Sequence, residues 1–273
     1  DQTVPVVIST AKGTNQEVKG RIVVDKSGKE SGKDLWNSNY TLEGNVFDIR
    51  EGSAEGKVIQ TVTTDKNGHA ESAKDLPLGT YWVTEKQASN GFVNTFEPQK
   101  VEITYKDQTV AIITEETKGT NQEVVGETIL LKEDSETGND TQGRATFKGA
   151  EYGLFYSNGE PVKWTDNFKP ELALGDKANE ENIVVKITDE TQQAQIKHLA
   201  LGEYYWQETK APESYQKDLT KHVVKLTYKD QSTEVIVKDV KSKENVIKFN
   251  FGWFKYVTSK NGSTQSGYNG ITF

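Results

Sequence analysis

Leu78-Gly79-Thr80-Tyr81-Trp82-Val83-Thr84-Glu85 returns later in the chain as Leu201-Gly202-Glu203-Tyr204-Tyr205-Trp206-Gln207-Glu208. Alternate residues of a β-strand share a face, so Tyr81, Val83 and Glu85 point one way, as do Tyr204, Trp206 and Glu208. Each glutamate therefore ends an apolar row that faces a core. A carboxylate there is costly unless it is protonated or hydrogen-bonded, so each copy demands a buried partner.

The repetition extends beyond this strand. Lys12-Gly13-Thr14-Asn15-Gln16-Glu17-Val18 recurs unchanged as Lys118-Gly119-Thr120-Asn121-Gln122-Glu123-Val124, and Asp1-Gln2-Thr3-Val4 recurs as Asp107-Gln108-Thr109-Val110 at the same spacing. A second register links Thr104-Tyr105-Lys106-Asp107-Gln108 to Thr227-Tyr228-Lys229-Asp230-Gln231, which places the last strands of two modules near 109–117 and 232–240. The chain is therefore expected to hold a preceding repeat's last strand and linker at 1–12, complete modules at 19–117 and 125–241, and the first strands of a truncated third module at 246–273. Lys-Gly-Thr-Asn segments read as the linkers.

Within each module the strands are short and alternate β-branched or aromatic residues with polar ones, as in Val101-Glu102-Ile103-Thr104-Tyr105. Asp65-Lys66-Asn67-Gly68 and Ser157-Asn158-Gly159 carry tight-turn chemistry. No long amphipathic helix competes. Residues 164–182 read as an inserted loop with one helical turn at most. The expected fold is all-β: tandem, immunoglobulin-like antiparallel sandwiches.

Composition excludes several functions. A net charge of −8, without a basic stripe, argues against nucleic acid. Cysteine is absent and the three histidines, His69, His198 and His222, sit on unrelated segments, so no metal site or cofactor is implied. The acidic residues of 164–182 match no calcium-loop spacing and read as a solvated charge run. No apolar run reaches membrane-spanning length. Trp36, Trp82, Trp164, Trp206 and Trp253 read as packing residues rather than a sugar platform.

Partners for the two glutamates emerge by counting from each module's start. Lys26 lies six residues after Gly20 and Lys132 six after Gly126. Lys132 shares strand parity with Leu130, and near the module's end Val235, Val237 and Asp239 share a face. Spacing alone favours a solvated salt bridge among such groups.

Gly202 to Tyr215, with its Glu208-Thr209-Lys210-Ala211-Pro212 core, resembles the signature of Cna B-type (SpaA-like, prealbumin-like) domains, which stack in sortase-anchored adhesins and pilins of Gram-positive bacteria. The first-strand lysine and the Gly149-Ala150-Glu151-Tyr152 segment fit the same family, whose sandwiches are of the inverse immunoglobulin type. The resemblance implies an intramolecular isopeptide bond between Lys132 and Asp239, with Glu208 as proton shuttle: a single-turnover self-modification rather than enzymatic turnover. In module one it implies the weaker set Lys26, Glu85 and Glu116. Glu116 replaces the usual Asp or Asn, and its extra methylene misplaces the carbonyl, so no bond is expected there, or a slip to a neighbouring acceptor.

The resemblance further implies a stalk segment at the cell-wall-anchored, extracellular surface, partnered by neighbouring repeats, with no membrane insertion. A host-glycoprotein-binding adhesin module and a sortase-polymerised pilin backbone are the alternatives.

Overall fold

The computed structural model describes residues 9–188, 192–249, 251–252, 257–258 and 264–265, and among these no residue is helical. The expectations for 1–12 and 246–273, and for Trp253, fall largely outside them.

Eight strands build the first module: β1 (Lys19–Gly28), β2 (Val46–Glu51), β3 (Val58–Thr63), β4 (His69–Glu71), β5 (Gly79–Gln87), β6 (Phe92–Val93), β7 (Gln99–Ile103) and β8 (Ile112–Glu123). They form two facing sheets, β4-β1-β8-β6 and β3-β2-β5-β7. Ile22 and Val24 of β1, Phe47 and Ile49 of β2, Tyr81 and Val83 of β5, and Val101 and Ile103 of β7 fill the space between. The alternating polar residues of these strands take the outer faces.

The second module repeats the plan with β9 (Val125–Asp134), β10 (Glu151–Tyr156), β11 (Glu171–Leu174), β12 (Asp176–Lys177), β13 (Val184–Lys186), β14 (Gln193–Leu199), β15 (Gly202–Lys210), β16 (His222–Leu226) and β17 (Val235–Glu244). Its sheets are β11-β14-β9-β17 and β12-β13-β10-β15-β16. Trp206 is fully buried, its indole Nε1 donating to Thr128 Oγ1 at 3.0 Å. Residues 164–182, read as a loop, supply β11 and β12, which extend one edge of each sheet; Leu172 packs against the core. Beyond the module, a short antiparallel pair joins β18 (Val257–Thr258) to β19 (Thr264–Gln265).

Pairing is antiparallel throughout both modules except at one place. The first and last strands of each run side by side in parallel, β1 with β8 over ten residue pairs and β9 with β17 over ten more. Glycine permits this closure: a Cβ on Gly20 would lie 2.5 Å from Ile103 Cγ2, and one on Gly126 would lie 2.3 Å from Leu226 Cδ1. The last strands also run further than expected. Lys118-Gly119-Thr120-Asn121 is not a linker but the end of β8, because it keeps pairing with β1 as far as Asn121 opposite Gly28. Only Val124 then separates β8 from β9.

The modules meet through a continuous apolar cluster in which Tyr40, Leu42, Phe92 and Val93 of the first pack with the core of the second. Trp36 belongs to this junction, with its ring 5.4 Å from Tyr40 and 5.8 Å from His198. The Tyr40 hydroxyl donates to Val124 O and accepts from Leu201 N, both at 2.8 Å. Asn37 and Asn39 each donate a side-chain N–H to Leu201 O at 2.9 Å. A Tyr40→Phe substitution strands two buried backbone groups, so it is expected to cost about 1–3 kcal/mol. Calorimetry should show a melting transition lowered by roughly 2–4 °C per kcal/mol, whereas an unchanged transition would remove the phenol from the junction's energetics.

Candidate functional site: a buried lysine and carboxyl between the terminal strands

Lys26 and Lys132 occupy the same place in their modules, near the ends of β1 and β9, and both are buried, 1% and 0% exposed. The inward parity that buries Ile22 and Val24, and Thr128 and Leu130, carries each lysine inward too. Opposite them the duplicated strand delivers its glutamates. Glu85 on β5 and Glu208 on β15 have side chains with no exposure at all.

In module one, Lys26 Nζ lies 3.6 Å from Glu85 Oε2, and neither atom has a hydrogen-bond partner. The aromatic rings of Phe96 and Phe47 flank the amine at 4.7 and 5.9 Å. Glu85's other oxygen accepts from Asn121 Nδ2 at 3.0 Å. Lysine and asparagine thus converge on one carboxyl group from adjacent parallel strands. Burial brings the Lys26 ammonium down to about 8, against the opposing pull of Glu85, and burial pushes the Glu85 carboxyl upward. Both shifts favour the uncharged forms.

Module two presents a different set. Lys132 Nζ donates to the Tyr152 hydroxyl at 3.1 Å, lies 3.5 Å from Glu208 Oε1, and meets Glu244 Oε1 on β17. The Tyr152 hydroxyl donates to Glu244 Oε1 at 2.5 Å and lies 2.9 Å from Ser242 Oγ. Glu208 Oε2 accepts from Asp218 N at 2.7 Å. Burial, together with the neighbouring Glu244 charge, pushes Glu208 up to about 7 in spite of Lys132.

The structure therefore brings Lys132 to Glu208 and Lys26 to Glu85, but it does not bring either expected acceptor to its lysine. Asp239 is exposed and sits opposite Ile129, whereas Lys132 sits opposite Ser242. Glu116 is likewise exposed and sits opposite Val23, whereas Lys26 sits opposite Gly119. The reason is parity. β17 carries aliphatic residues on both faces, and it is Ile236 and Val240 that pack on the core, so the inward row continues to Ser242 and Glu244 and leaves Val235, Val237 and Asp239 outside.

The residues facing each lysine, Asn121 and Glu244, occupy one position, two residues beyond the lysine's cross-strand neighbour. Asn121 had left a signal in the sequence: its seven-residue segment recurs without change, and a flexible linker has no need of identity. Glu244 had left none. Among the described residues no group of three or more His, Asp or Glu is placed to hold a metal ion.

Comparison with known proteins agrees with this architecture. The family model of the SpaA prealbumin-like fold domain matches residues 20–118 and again 126–241. Among solved structures, the Bacillus anthracis TIE protein is 26% identical with a TM-score of 0.56, over 85% of this chain and 35% of its own. The chain thus spans about a third of that protein's length. GBS52, the minor pilin of Streptococcus agalactiae, is 15% identical with a TM-score of 0.35, over 86% of this chain and 99% of its own. The shaft pilin SpaA of Lactobacillus rhamnosus GG is 16% identical with a TM-score of 0.32, over 85% of this chain and all of its own. A comparison with curated protein sequences finds no match. Two whole-domain matches that together cover most of the chain place it in the SpaA prealbumin-like fold domain family.

Proposed function

We propose that this chain is a load-bearing stalk segment displayed on the surface of a Gram-positive cell, and that its first module reinforces itself with an amide between Lys26 and Asn121. The observation that carries this reading is the convergence of Lys26 Nζ and Asn121 Nδ2 on the Glu85 carboxyl, inside a core and between neighbouring terminal strands. The family match supports the surface location.

The chemistry follows from the protonation states. A neutral lysine amine is a nucleophile; an ammonium is not. The Asn121 carbonyl oxygen accepts from Thr95 N at 3.1 Å, which makes its carbonyl carbon a better electrophile, while Glu85 accepts from the amide nitrogen that is to leave. Lys26 Nζ attacks that carbon, the new C–N bond forms, and the Asn121 nitrogen leaves as ammonia, taking its extra proton from the amine by way of Glu85. The glutamate ends as it began. No turnover follows, because the product is the protein itself.

The mechanical gain comes from topology. Pulling on the two ends of a module loads β1 against β8 in shear, because the strands are parallel and each leads to one end. A bond from Lys26 to Asn121 carries that load directly and leaves residues 27–120 outside its path. It also closes a loop of nearly the whole module in the unfolded chain, which on a chain-entropy model contributes about 4–5 kcal/mol.

Intact-mass measurement is expected to show a loss of about 17 Da at this site, abolished by Lys26→Ala or Asn121→Ala and strongly diminished by Glu85→Ala. A branched peptide joining Lys26 to Asn121 locates the bond, and its absence from the wild-type digest would refute it.

Titration gives a second check. In Asn121→Ala the amine stays free, and its folded value of about 8 lies below the ordinary 10.5. The unfolded chain then holds one more proton than the folded one between those limits, so this variant should gain stability from Lys26 as pH rises from about 8 to 10.5. The wild type, whose nitrogen is an amide, should follow the slope of a Lys26→Met, Asn121→Ala double variant. Equal slopes in the wild type and Asn121→Ala would mean that Lys26 is free in both.

A further inference from the structure

Aligned through their strand registers, the two buried sites differ by a matched pair of residues. Phe47 faces Glu85 across β2 and β5 where Tyr152 faces Glu208 across β10 and β15. Asn121 on β8 stands where Glu244 stands on β17. Where the acceptor gains a methylene and a carboxyl, the neighbouring ring gains a hydroxyl, and that hydroxyl donates to Glu244 Oε1 at 2.5 Å. Resting on the self-cross-linking reading above, we infer that module two forms its own amide with a glutamate as acceptor, Lys132 Nζ to Glu244 Cδ, releasing water where module one releases ammonia.

The geometry assigns each atom a part. Lys132 Nζ is already against the Glu244 carboxyl. Oε1 is the oxygen that remains: the Tyr152 hydroxyl is placed to hold the negative charge that gathers there as nitrogen adds, while the Ser242 hydroxyl donates to Asp218 Oδ2 at 2.9 Å. Oε2 is buried and without a hydrogen-bond partner, which suits the oxygen that leaves. Glu208 touches the amine through Oε1 at 3.5 Å and is fixed through Oε2 by Asp218 N. It takes a proton from nitrogen after attack and returns one to the departing hydroxyl. One C–N bond forms and one C–O bond breaks. The carboxyl's hydroxyl and one amine hydrogen leave as water, and Glu208 is regenerated.

Two conditions let an amide form from a free acid here. The lysine and both glutamates are at most 2% exposed, so bulk water has little access to reverse the step. Reactants held in one geometry act at effective concentrations of about 10⁵–10⁸ M, far above that of liquid water. Glu208 itself is a poorer acceptor, because its carboxyl is anchored by the Asp218 backbone and lies further from the amine than Glu244 does. The extra methylene of glutamate, which sequence reasoning counts against an acceptor, is absorbed by the site around Tyr152.

The full chain tests this by high-resolution intact mass and peptide mapping. The wild type should be lighter than its sequence by about 35 Da, the sum of about 17 and 18. Its digest should contain a branched peptide joining Lys132 to Glu244, a readout that needs no variant to fold. Lys26→Ala should retain a loss of about 18 Da, and Lys26→Ala with Glu244→Gln should shift that loss to about 17 Da, because the leaving group becomes ammonia. A wild-type loss of about 17 Da alone would overturn the glutamate bond and leave the Lys26 bond standing. An undiminished mass would overturn both. A loss that stays at about 18 Da when Glu244 becomes glutamine would assign the acceptor elsewhere and overturn this inference.

Discussion

The parallel pairing of each module's first and last strands is the constraint on which the rest depends. Antiparallel neighbours can be joined by a two-residue turn, but parallel ones require the chain to travel the length of the domain and return. Here the return path is the entire sandwich, so pairing β1 with β8, or β9 with β17, closes a loop of nearly the whole module. Residues brought together across that pair are therefore far apart along the chain. A reactive set placed there stays apart in the unfolded chain and is assembled, dry and in register, only by completed folding. Chemistry that would be hazardous in an open chain is thereby tied to the native state.

The same constraint explains how charge is tolerated in cores this small. Lys26 with Glu85, and Lys132 with two glutamates, are buried ionisable groups whose desolvation is not offset by Coulomb attraction unless the remaining polar atoms are satisfied. In module one they are not: Lys26 Nζ and Glu85 Oε2 lack hydrogen-bond partners. As a resting ion pair this arrangement costs stability. As the reactant state of an amide it is consistent, since the product nitrogen carries no charge and a neutral Glu85 costs far less to bury. The unsatisfied atoms are where local rules of protein stability are broken, and such breaks concentrate at functional positions.

Much of this was legible in the residues. Alternation gave the inward faces of β5 and β15 and so the buried glutamates, and counting from Gly20 and Gly126 gave the two lysines. What failed was the last strand. Tyr-Lys-Asp-Gln aligned the modules correctly, but β17 has aliphatic side chains on both faces, and a one-residue error in parity exchanges the core row for the solvent row. Only the ladder to β9, with Ser242 opposite Lys132, fixes it. Strand length misled in the same direction: a glycine and two hydroxyl- or amide-bearing residues after Lys118 look like linker, yet pairing with β1 holds them extended. The insertion at 164–182 was under-read because β11 and β12 are too short to show a period.

Rigidity has to continue past the module for reinforcement within it to matter. A stalk of hardened domains joined by loose linkers would still flex, and force would be spent on straightening. Here β8 passes into β9 through one residue, Val124, whose N–H donates to Gly91 O and whose carbonyl accepts from Tyr40. Tyr40 also receives Leu201 N, so one phenol ties the connecting residue to loops of both modules. The Gln231 side chain and carbonyl accept from Ala88 N and Asn94 N on the other side of the joint. With apolar packing continuous through Tyr40, Phe92 and Val93, bending at the joint requires breaking buried hydrogen bonds and exposing core at once. Under the proposed function, the load path would be an unbroken line of strand, cross-link and locked joint, with the two modules acting as one stiff unit.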